Sequence, residues 1–546
     1  MTTWDEEFDF ISVGSGAGGL AAAIAGADAG LRPLVLEKSP RLGGNTVWSY
    51  GLVWAGNNDL AHAEGIEDTD EKTQAYLDYL GGGRNDSDAT RSFVKHAPEA
   101  VRYFQTKANI PFYLVRKLPD HYYPLGEGSL PEGRSLQAQL FESESVGAWR
   151  DRLEIGPYGH GRVTFEEMAA WGGRAVPQKW DQSVVADRVK RNVRTFGGAL
   201  AGHLLKAALD RGIPVRANAE ASRLIVEQGR VCGLEVMCEG RPRMIGASRG
   251  VMLATGEYDS NRRLMGWFDE FNPWPPVGAP RNQGDGLIMA LEQGSAFSVC
   301  HWNLSIKLSY AVPGETVDGQ PLLRASGSRE MAYPHSFIVN KAGRRFADES
   351  SFGDVATKLR HFDFRSHRLT NIPCYFIFDS QYFGKYGLPP LPASQNPPNW
   401  LPQADSIAEL ARTLNVDPSG LADTTERFNQ FVESGRDTDF GRGDLPWARQ
   451  AASDLDQKNP NLGSVSRPPF FGLAVQPSQG HSIGLVTNAE GQVTHLRGHS
   501  IPGLYACGAA ASLLYAGVGY QAGLTLAGAI TFGMLAARHA ARQSAH

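Results

Sequence analysis

Cysteine is scarce and scattered. The 546 residues hold five, at Cys232, Cys238, Cys300, Cys374 and Cys507, with no CxxC and no CxxCH. That spacing excludes a zinc ribbon, an iron–sulfur cluster and a c-type haem on this chain. Thiols without a pairing pattern predict a reducing, cytoplasmic setting rather than a disulfide scaffold. None of the 14 histidines has metal-ligand spacing, so no metal is expected. An excess of basic charge is also missing. Lys plus Arg is 53, Asp plus Glu is 58 and the net charge is −5, which leaves no footprint for nucleic acid. The opening residues Met-Thr-Thr-Trp-Asp-Glu-Glu have neither a basic nor an apolar leader region, so no signal peptide is expected. One uncharged run, 500–537, is long enough to cross a bilayer, but it contains seven glycines and Pro502. It reads as a buried strand over Gly503–Cys507, a glycine-rich loop and a buried helix over Leu524–Ala537. No transmembrane segment is expected.

What is present begins at residues 8–19, Phe-Asp-Phe-Ile-Ser-Val-Gly-Ser-Gly-Ala-Gly-Gly. An apolar strand enters the turn Gly14-x-Gly16-x-x-Gly19, an Ala-rich helix follows (Leu20–Ala29), and the run Pro33–Leu36 closes on Glu37. This is the dinucleotide-binding βαβ pattern. Gly14 permits the tight turn, Gly16 lets backbone approach a pyrophosphate, and Gly19 lets helix and strand pack closely. The helix N-terminus offers unpaired N–H groups to phosphate. Glu37, 18 residues past Gly19, suits a ribose 2′-hydroxyl.

Strands are expected at Arg223–Val226, Val231–Met237 and Gly250–Leu253, and helices over 86–107 and 185–211. Pro-rich stretches at 269–281 and 459–470 mark boundaries. They predict an α/β chain (α+β overall): a discontinuous Rossmann-like body, 1–272 and 471–546, with an inserted α+β substrate (capping) domain, 273–470. The insert carries strands at Ser336–Asn340 and Cys374–Phe378 and helices at Ser406–Leu414 and Gly420–Ser434. Further glycine-rich segments recur along the chain: Gly43-Gly44-Asn45-Thr46 and Gly51, Ala254-Thr255-Gly256, Gly284-Asp285-Gly286, and the turn ending at Gly508. Four such segments suit one long, extended ligand.

With Val339-Asn340-x-x-Gly343-x-Arg345-Phe346, Gly503-Leu504-Tyr505-Ala506 and Thr531-Phe532-Gly533, these motifs make the chain resemble the FAD-dependent family of ketosteroid dehydrogenases and fumarate reductase flavoproteins over nearly its full length. The resemblance implies FAD, bound noncovalently because no histidine stands at Asn45-Thr46. It extends the cofactor set to Lys38, Leu524 and Thr525. Ala509 departs from it, since relatives often carry a polar residue there.

Family members move a hydride between the flavin and a carbon–carbon bond. The resemblance places the arginines of fumarate reductases near 331–340 and near Gln521. Neither stretch contains one, although Arg329 lies close to the first. Tyrosines stand there instead. By resemblance to ketosteroid dehydrogenases, Tyr333 is the expected base and Tyr520 the carbonyl-polarising hydroxyl, with the Gly523 N–H assisting. A phenol donating to a ketone oxygen acidifies the neighbouring C–H and stabilises the enolate. Tyr515, in Tyr515-Ala516-Gly517-Val518-Gly519, is a competing register for the second tyrosine. Tyr123, within His121-Tyr122-Tyr123-Pro124, and His481 are further expected substrate contacts. The reading is a dehydrogenase that desaturates a bond next to a ketone of a cyclic, largely apolar, steroid-like substrate. Two alternatives stay open: a flavin-dependent reductase of an activated alkene, and a non-catalytic flavin-binding electron-transfer protein. Electrons must leave to oxygen, a quinone or another protein, because no second redox centre is built in.

Overall fold

The computed structural model describes residues 2–156, 162–238, 240–271, 278–279, 281–300, 304, 306–317, 319–325, 330–394, 396–451, 454, 458–478 and 483–544. Two sheets organise them. The first runs, in space, Gln492–Thr494, Ser500–Ala506, Arg241–Leu253, β1 (Glu6–Val13), β2 (Pro33–Leu36) and Val215–Arg216. Its inner pairings are parallel. An antiparallel arm, Ala219–Glu227 and Arg230–Cys238, folds back on Arg241–Leu253. Both faces are buried. Phe10 and Val35 point into one apolar layer, Ile11, Val13, Leu34 and Leu36 into the other. A strand covered on both sides needs a continuous apolar run, as β2 has.

Helix α1 (Ala17–Asp28) follows β1 with no side-chain cap at Gly16. A Cβ at Gly19 would lie 1.9 Å from the Gly14 carbonyl oxygen, so only glycine lets the helix sit this close to the turn. The C-terminal helix Leu524–Arg542 packs across α1 through small residues. A Cβ at Gly533 would stand 2.7 Å from the Gly18 carbonyl. The uncharged 500–537 run thus divides into a sheet strand, a loop and this helix, and no described helix is long and apolar enough to cross a membrane.

The second sheet runs Gln320–Ala325, Lys307–Val317, Phe470–Ser478, Cys374–Asp379 and Ser336–Asn340. The expected boundaries shift at both ends. Helix Asp285–Leu291 packs Leu287, Met289 and Ala290 into a core of the first sheet, so that body continues past 272. Phe470–Ser478 pairs with Lys307–Val317, Cys374–Asp379 and Gln403–Ala404, so the chain returns to the first body beyond Ser478 rather than at 471. The expected single helix over 185–211 is two, Gln182–Lys190 and Phe196–Asp210. Asn192 turns left-handed between them (φ 57°), and Val193–Arg194 pairs with Phe141–Glu142.

Candidate active site

A cavity of about 620 Å³ opens at the carboxyl ends of the parallel strands. Of the expected cofactor residues, Gly14, Gly16, Glu37, Lys38, Gly44, Asn45, Thr46, Ala254, Thr255, Gly256, Asp285, Gly508 and Thr525 line it. The helix-packing Gly19 does not, and neither do Gly43, Gly51 and Leu524. Gly43 takes φ 105° behind the wall, where a Cβ would strike Val47 at 2.6 Å. Gly51, at φ 63°, abuts the Phe196 backbone, and Leu524 is buried in the first turn of its helix. Ser15 was not singled out by the sequence motif. Its N–H and hydroxyl both donate to Glu37 Oε2 (3.1 and 2.7 Å), which aims that carboxylate. Thr46 Oγ1 accepts the Ala17 N–H at 2.9 Å, and Lys38 pairs with Asp285 at 2.5 Å.

The wall fits FAD. Glycine backbone and the N-terminus of α1, where Thr46 Oγ1 accepts the Ala17 N–H, face the cavity together. Thr255 Oγ1 is buried at its wall without a described partner. Buried polar atoms of this kind mark where a ligand's own polar groups belong.

The expected catalytic residues Tyr333, Tyr520 and Gly523 do not line this cavity. The loop bearing Tyr520 and Gly523 precedes the C-terminal helix. Gly523 takes φ 95°, and its carbonyl accepts the Trp54 N–H at 3.3 Å. A Cβ there would stand 2.8 Å from Trp54 N, so the loop meets the strand Val53–Trp54 backbone to backbone. The Gly523 N–H donates to no described residue. The Tyr520 ring lies 5.4 Å from the His121 ring, and Lys307 Nζ sits 5.7 Å from its centroid. Of the expected aromatic stretch, His121 therefore reaches this loop, while Tyr123 is half-buried beside it. Tyr122 is turned towards Gly353, and burial pushes its hydroxyl up to about 12.

Tyr333 arrives from the second sheet. It is buried, with ring centroids 5.1 Å from Tyr386 and 6.4 Å from Tyr382. Its turn is clamped by Arg442, which is fully buried. The guanidinium donates to the carbonyls of Ser336 (2.8 Å), Tyr333 (2.8 Å), Met331 (3.2 Å) and Asn461 (2.8 Å). Ile306 and Leu308 join the apolar layer around Tyr333, while Lys307 between them faces Tyr520. That one strand start ties the two tyrosines' surroundings together. Leu52, Val115, Leu118 and Trp447, with Tyr50 and Ala522 packed against them, form a separate apolar cluster that reaches the Tyr520 loop through Ala522.

Two expectations need correction. Tyr515 belongs to the core. Its ring stacks on Phe93 at 4.5 Å, its hydroxyl donates to the Leu524 carbonyl at 3.1 Å, and burial pushes that hydroxyl far above its ordinary range. An arginine does approach Tyr333, from a segment with no motif to announce it. Arg174 lies 4.6 Å over the Tyr50 ring, with Glu330 Oε1 3.9 Å away. Burial works against its charge, but Tyr50, Glu330 and Tyr333 outweigh burial and raise its pKa. His481 lies outside the described residues, as does Arg329. Among the described residues no cluster of potential metal ligands occurs.

A parallel sheet with a glycine-lined cavity at its strand ends defines a dinucleotide-binding protein. Residues 9–526 match the family described as the FAD binding domain, and the chain belongs to that family. It is 31% identical to a 3-oxosteroid 1-dehydrogenase of Mycobacterium tuberculosis (strain ATCC 25618 / H37Rv), covering 99% of each chain. It is 32% identical to a 4-oxocyclohexanecarboxylate 2-dehydrogenase of Sinomonas cyclohexanicum, over 98% of this chain and 93% of that one. The crystal structure of a 3-ketosteroid delta1-dehydrogenase from Sterolibacterium denitrificans superposes with a TM-score of 0.86 at 27% identity, covering 98% of this chain and 99% of that one. The cofactor is FAD, and the protein is a flavin-dependent oxidoreductase acting on CH–CH bonds.

Proposed function

We propose that this protein desaturates the carbon–carbon bond next to a ring ketone in a cyclic, mostly apolar substrate, with FAD held noncovalently. The ketone oxygen sits between the Tyr520 hydroxyl and the Gly523 N–H, which donate to it as negative charge develops. Tyr333 removes the proton beside the carbonyl. FAD supplies the acceptor for the hydride leaving the adjacent carbon. Arg174 favours the tyrosinate form of Tyr333, because a guanidinium beside a phenol stabilises its anion. The apolar patch of Leu52, Val115, Leu118 and Trp447 excludes water and receives the ring. The observation that supports this reading is the strand start at 306–308, where Ile306 and Leu308 pack in the apolar layer of Tyr333 and Lys307 faces the Tyr520 ring. The named activities of the relatives, on a 3-oxosteroid and on 4-oxocyclohexanecarboxylate, support this substrate class.

Arg174 supports a second reading, reduction of an activated alkene that bears a carboxylate. A guanidinium is the natural partner for such a group. Anaerobic titration decides between the two. Bleaching of the yellow flavin by a saturated 3-oxosteroid or by 4-oxocyclohexanecarboxylate is the expected result. Reoxidation of dithionite-reduced flavin by an unsaturated acid, with no bleaching by either ketone, overturns the first reading. Tyr333→Phe and Tyr520→Phe are each expected to keep FAD and slow bleaching by about 100-fold. An unchanged rate in either variant removes that residue from the mechanism.

A further inference from the structure

The loop that carries Tyr520 and Gly523 is held by groups outside the proposed chemistry. Gln521 is 1% exposed, and its Oε1 accepts both the Tyr76 hydroxyl (2.7 Å) and the His121 backbone N–H (2.9 Å). The next amide along, Ala522 N–H, donates to His121 Nε2 at 3.3 Å. The His121 and Trp447 ring centroids are 3.8 Å apart, which fixes the imidazole plane. The two bonds run in opposite directions between one residue and one loop. The backbone of residue 121 holds the side chain of 521, and the side chain of 121 holds the backbone of 522.

We propose that His121 is a positioning residue whose unprotonated Nε2 sets the orientation of the Gly523 N–H and the Tyr520 hydroxyl. The inference rests on the assignment of Tyr520 and Gly523 to the ketone oxygen. A nitrogen that accepts an N–H must present its lone pair, so this imidazole is neutral with its proton on Nδ1. Protonation turns Nε2 into a donor facing another donor, and the Ala522 amide is released. The Gly523 N–H is one residue further on, so rotation at Ala522 moves it directly. A misplacement of about 1 Å at such a point costs on the order of 100-fold in rate.

The surroundings on every packed element bear on this switch. Lys307 lies across Tyr520 and disfavours a second cation there. Asp120, the preceding residue, is neutralised by Arg134 (3.0 Å), the Trp54 indole and the Leu130 N–H. Arg134 is itself paired with Asp68. Tyr76 stays protonated, because burial raises its pKa well above the ordinary value. On the Trp447 helix, Arg449 donates to the Gly443 carbonyl. Within this set the described bonds leave His121 as the group whose protonation directly cancels a bond to the loop.

Two variants separate position from fold. His121→Gln keeps an acceptor that cannot titrate, and His121→Leu removes the acceptor. Each holoenzyme is followed by ketone-dependent flavin bleaching from pH 5 to 9, with 4-oxocyclohexanecarboxylate and a 3-oxosteroid as probes. Amide exchange over 518–526, corrected for intrinsic rates, is measured without substrate. The wild type is expected to lose rate towards acid and to exchange faster in this segment there. His121→Gln is expected to stay within about threefold of the wild type at neutral pH and to lose the acid limb. His121→Leu is expected to keep FAD, slow bleaching by about 10- to 100-fold, and exchange fast at every pH. The inference is overturned if His121→Gln keeps the acid limb, or if the wild-type segment exchanges identically across the pH range. Failure of both ketones to bleach wild-type flavin defeats the functional reading instead, and the exchange measurement then decides the positioning claim alone.

Discussion

The two proposed catalytic tyrosines are mounted in opposite ways. The turn of Tyr333 is gripped directly by a charge. Arg442 donates to four carbonyls and pairs with Glu349 at 3.2 Å, and Glu349 in turn pairs with Arg345, which also binds Asp437. The loop of Tyr520 is gripped by neutral groups, an amide, an imidazole and a phenol. Its charges stand one layer back, where the Asp120–Arg134–Asp68 cluster orients Trp54 and Trp54 meets Gly523. A guanidinium fixed to backbone carbonyls gives a stiff mount, because the guanidinium itself stays charged. Neutral hydrogen bonds allow adjustment, which suits a loop that must tighten on a developing enolate. The residue proposed to accept a proton is thus bolted down, and the group proposed to follow the moving charge is held more loosely.

Removing the charged mount is expected to give the largest effect. Arg442→Met strands the carbonyls of Met331, Tyr333, Ser336 and Asn461 and unbalances Glu349. A loss of about 3–5 kcal/mol is expected from chemical denaturation, with FAD release following unfolding rather than preceding it. A stable, fully active Arg442→Met would show that the turn holds itself and would erase the contrast. The same network contains its own pH-sensitive member. Burial pushes the Asp348 carboxyl up to about 7, against bonds from the Ser350 N–H and hydroxyl that favour its anion. A raised carboxyl pKa binds more protons in the folded state than in the unfolded one. Its contribution is therefore complete below about pH 4 and is lost as the pH rises to about 7, a change on the order of 4 kcal/mol. Asp348→Asn is expected to flatten the stability profile across that window, as denaturation midpoints at pH 4 and 7 would record. A profile that keeps its slope in the variant assigns the sensitivity elsewhere.

The neutral mount predicts a smaller loss. Gln521→Leu leaves the His121 N–H and the Tyr76 hydroxyl buried without an acceptor. The expected cost is about 1–3 kcal/mol in stability, with a fall in kcat rather than a rise in KM, because the ground-state pocket is untouched. A rise in KM alone would mean that the loop binds substrate and does not shape the transition state.

Much of the nucleotide half was legible in the chain because its contacts are local. The glycines of residues 14–19 and the acid at 37 are fixed by one βαβ unit, and the doubly buried β2 shows as an unbroken apolar run. The mounts were not legible. Arg442 reaches Tyr333 across more than a hundred residues, and Arg174 reaches it from a loop with no motif. A guanidinium in a polar stretch looks like any surface arginine until the partner carbonyls are placed. Arg345 was visible as part of Val339-Asn340-x-x-Gly343-x-Arg345-Phe346, and its pairing with Glu349 and Asp437 supplies the physical reason for that pattern. Helix spacing ran smoothly through 185–211, since the break at Asn192 depends on Val193–Arg194 finding Phe141–Glu142. The domain return failed for a similar reason. Phe470–Ser478 is as apolar as a strand of either sheet, and its pairing partners alone decide which one it joins. Tyr515 and Tyr520 differ by burial, which periodicity does not reveal.

The smallest perturbation tests the neutral mount at one bond. Tyr76→Phe deletes the hydroxyl donated to Gln521 Oε1 but leaves the His121 N–H on the same oxygen. The ring stays between Trp54 and the Arg134 guanidinium, so packing is kept. An acceptor with one remaining donor is still satisfied, and the net value of a single neutral hydrogen bond is about 0.5–1.5 kcal/mol. The stability loss is expected in that range, with the flavin bleaching rate within about threefold of the wild type. A loss as large as that of Gln521→Leu would mean that the phenol, not the His121 backbone, carries the clamp, and the two bonds would then be coupled rather than redundant. A double-mutant cycle of Tyr76→Phe with Gln521→Leu measures that coupling directly, because the two residues share one oxygen.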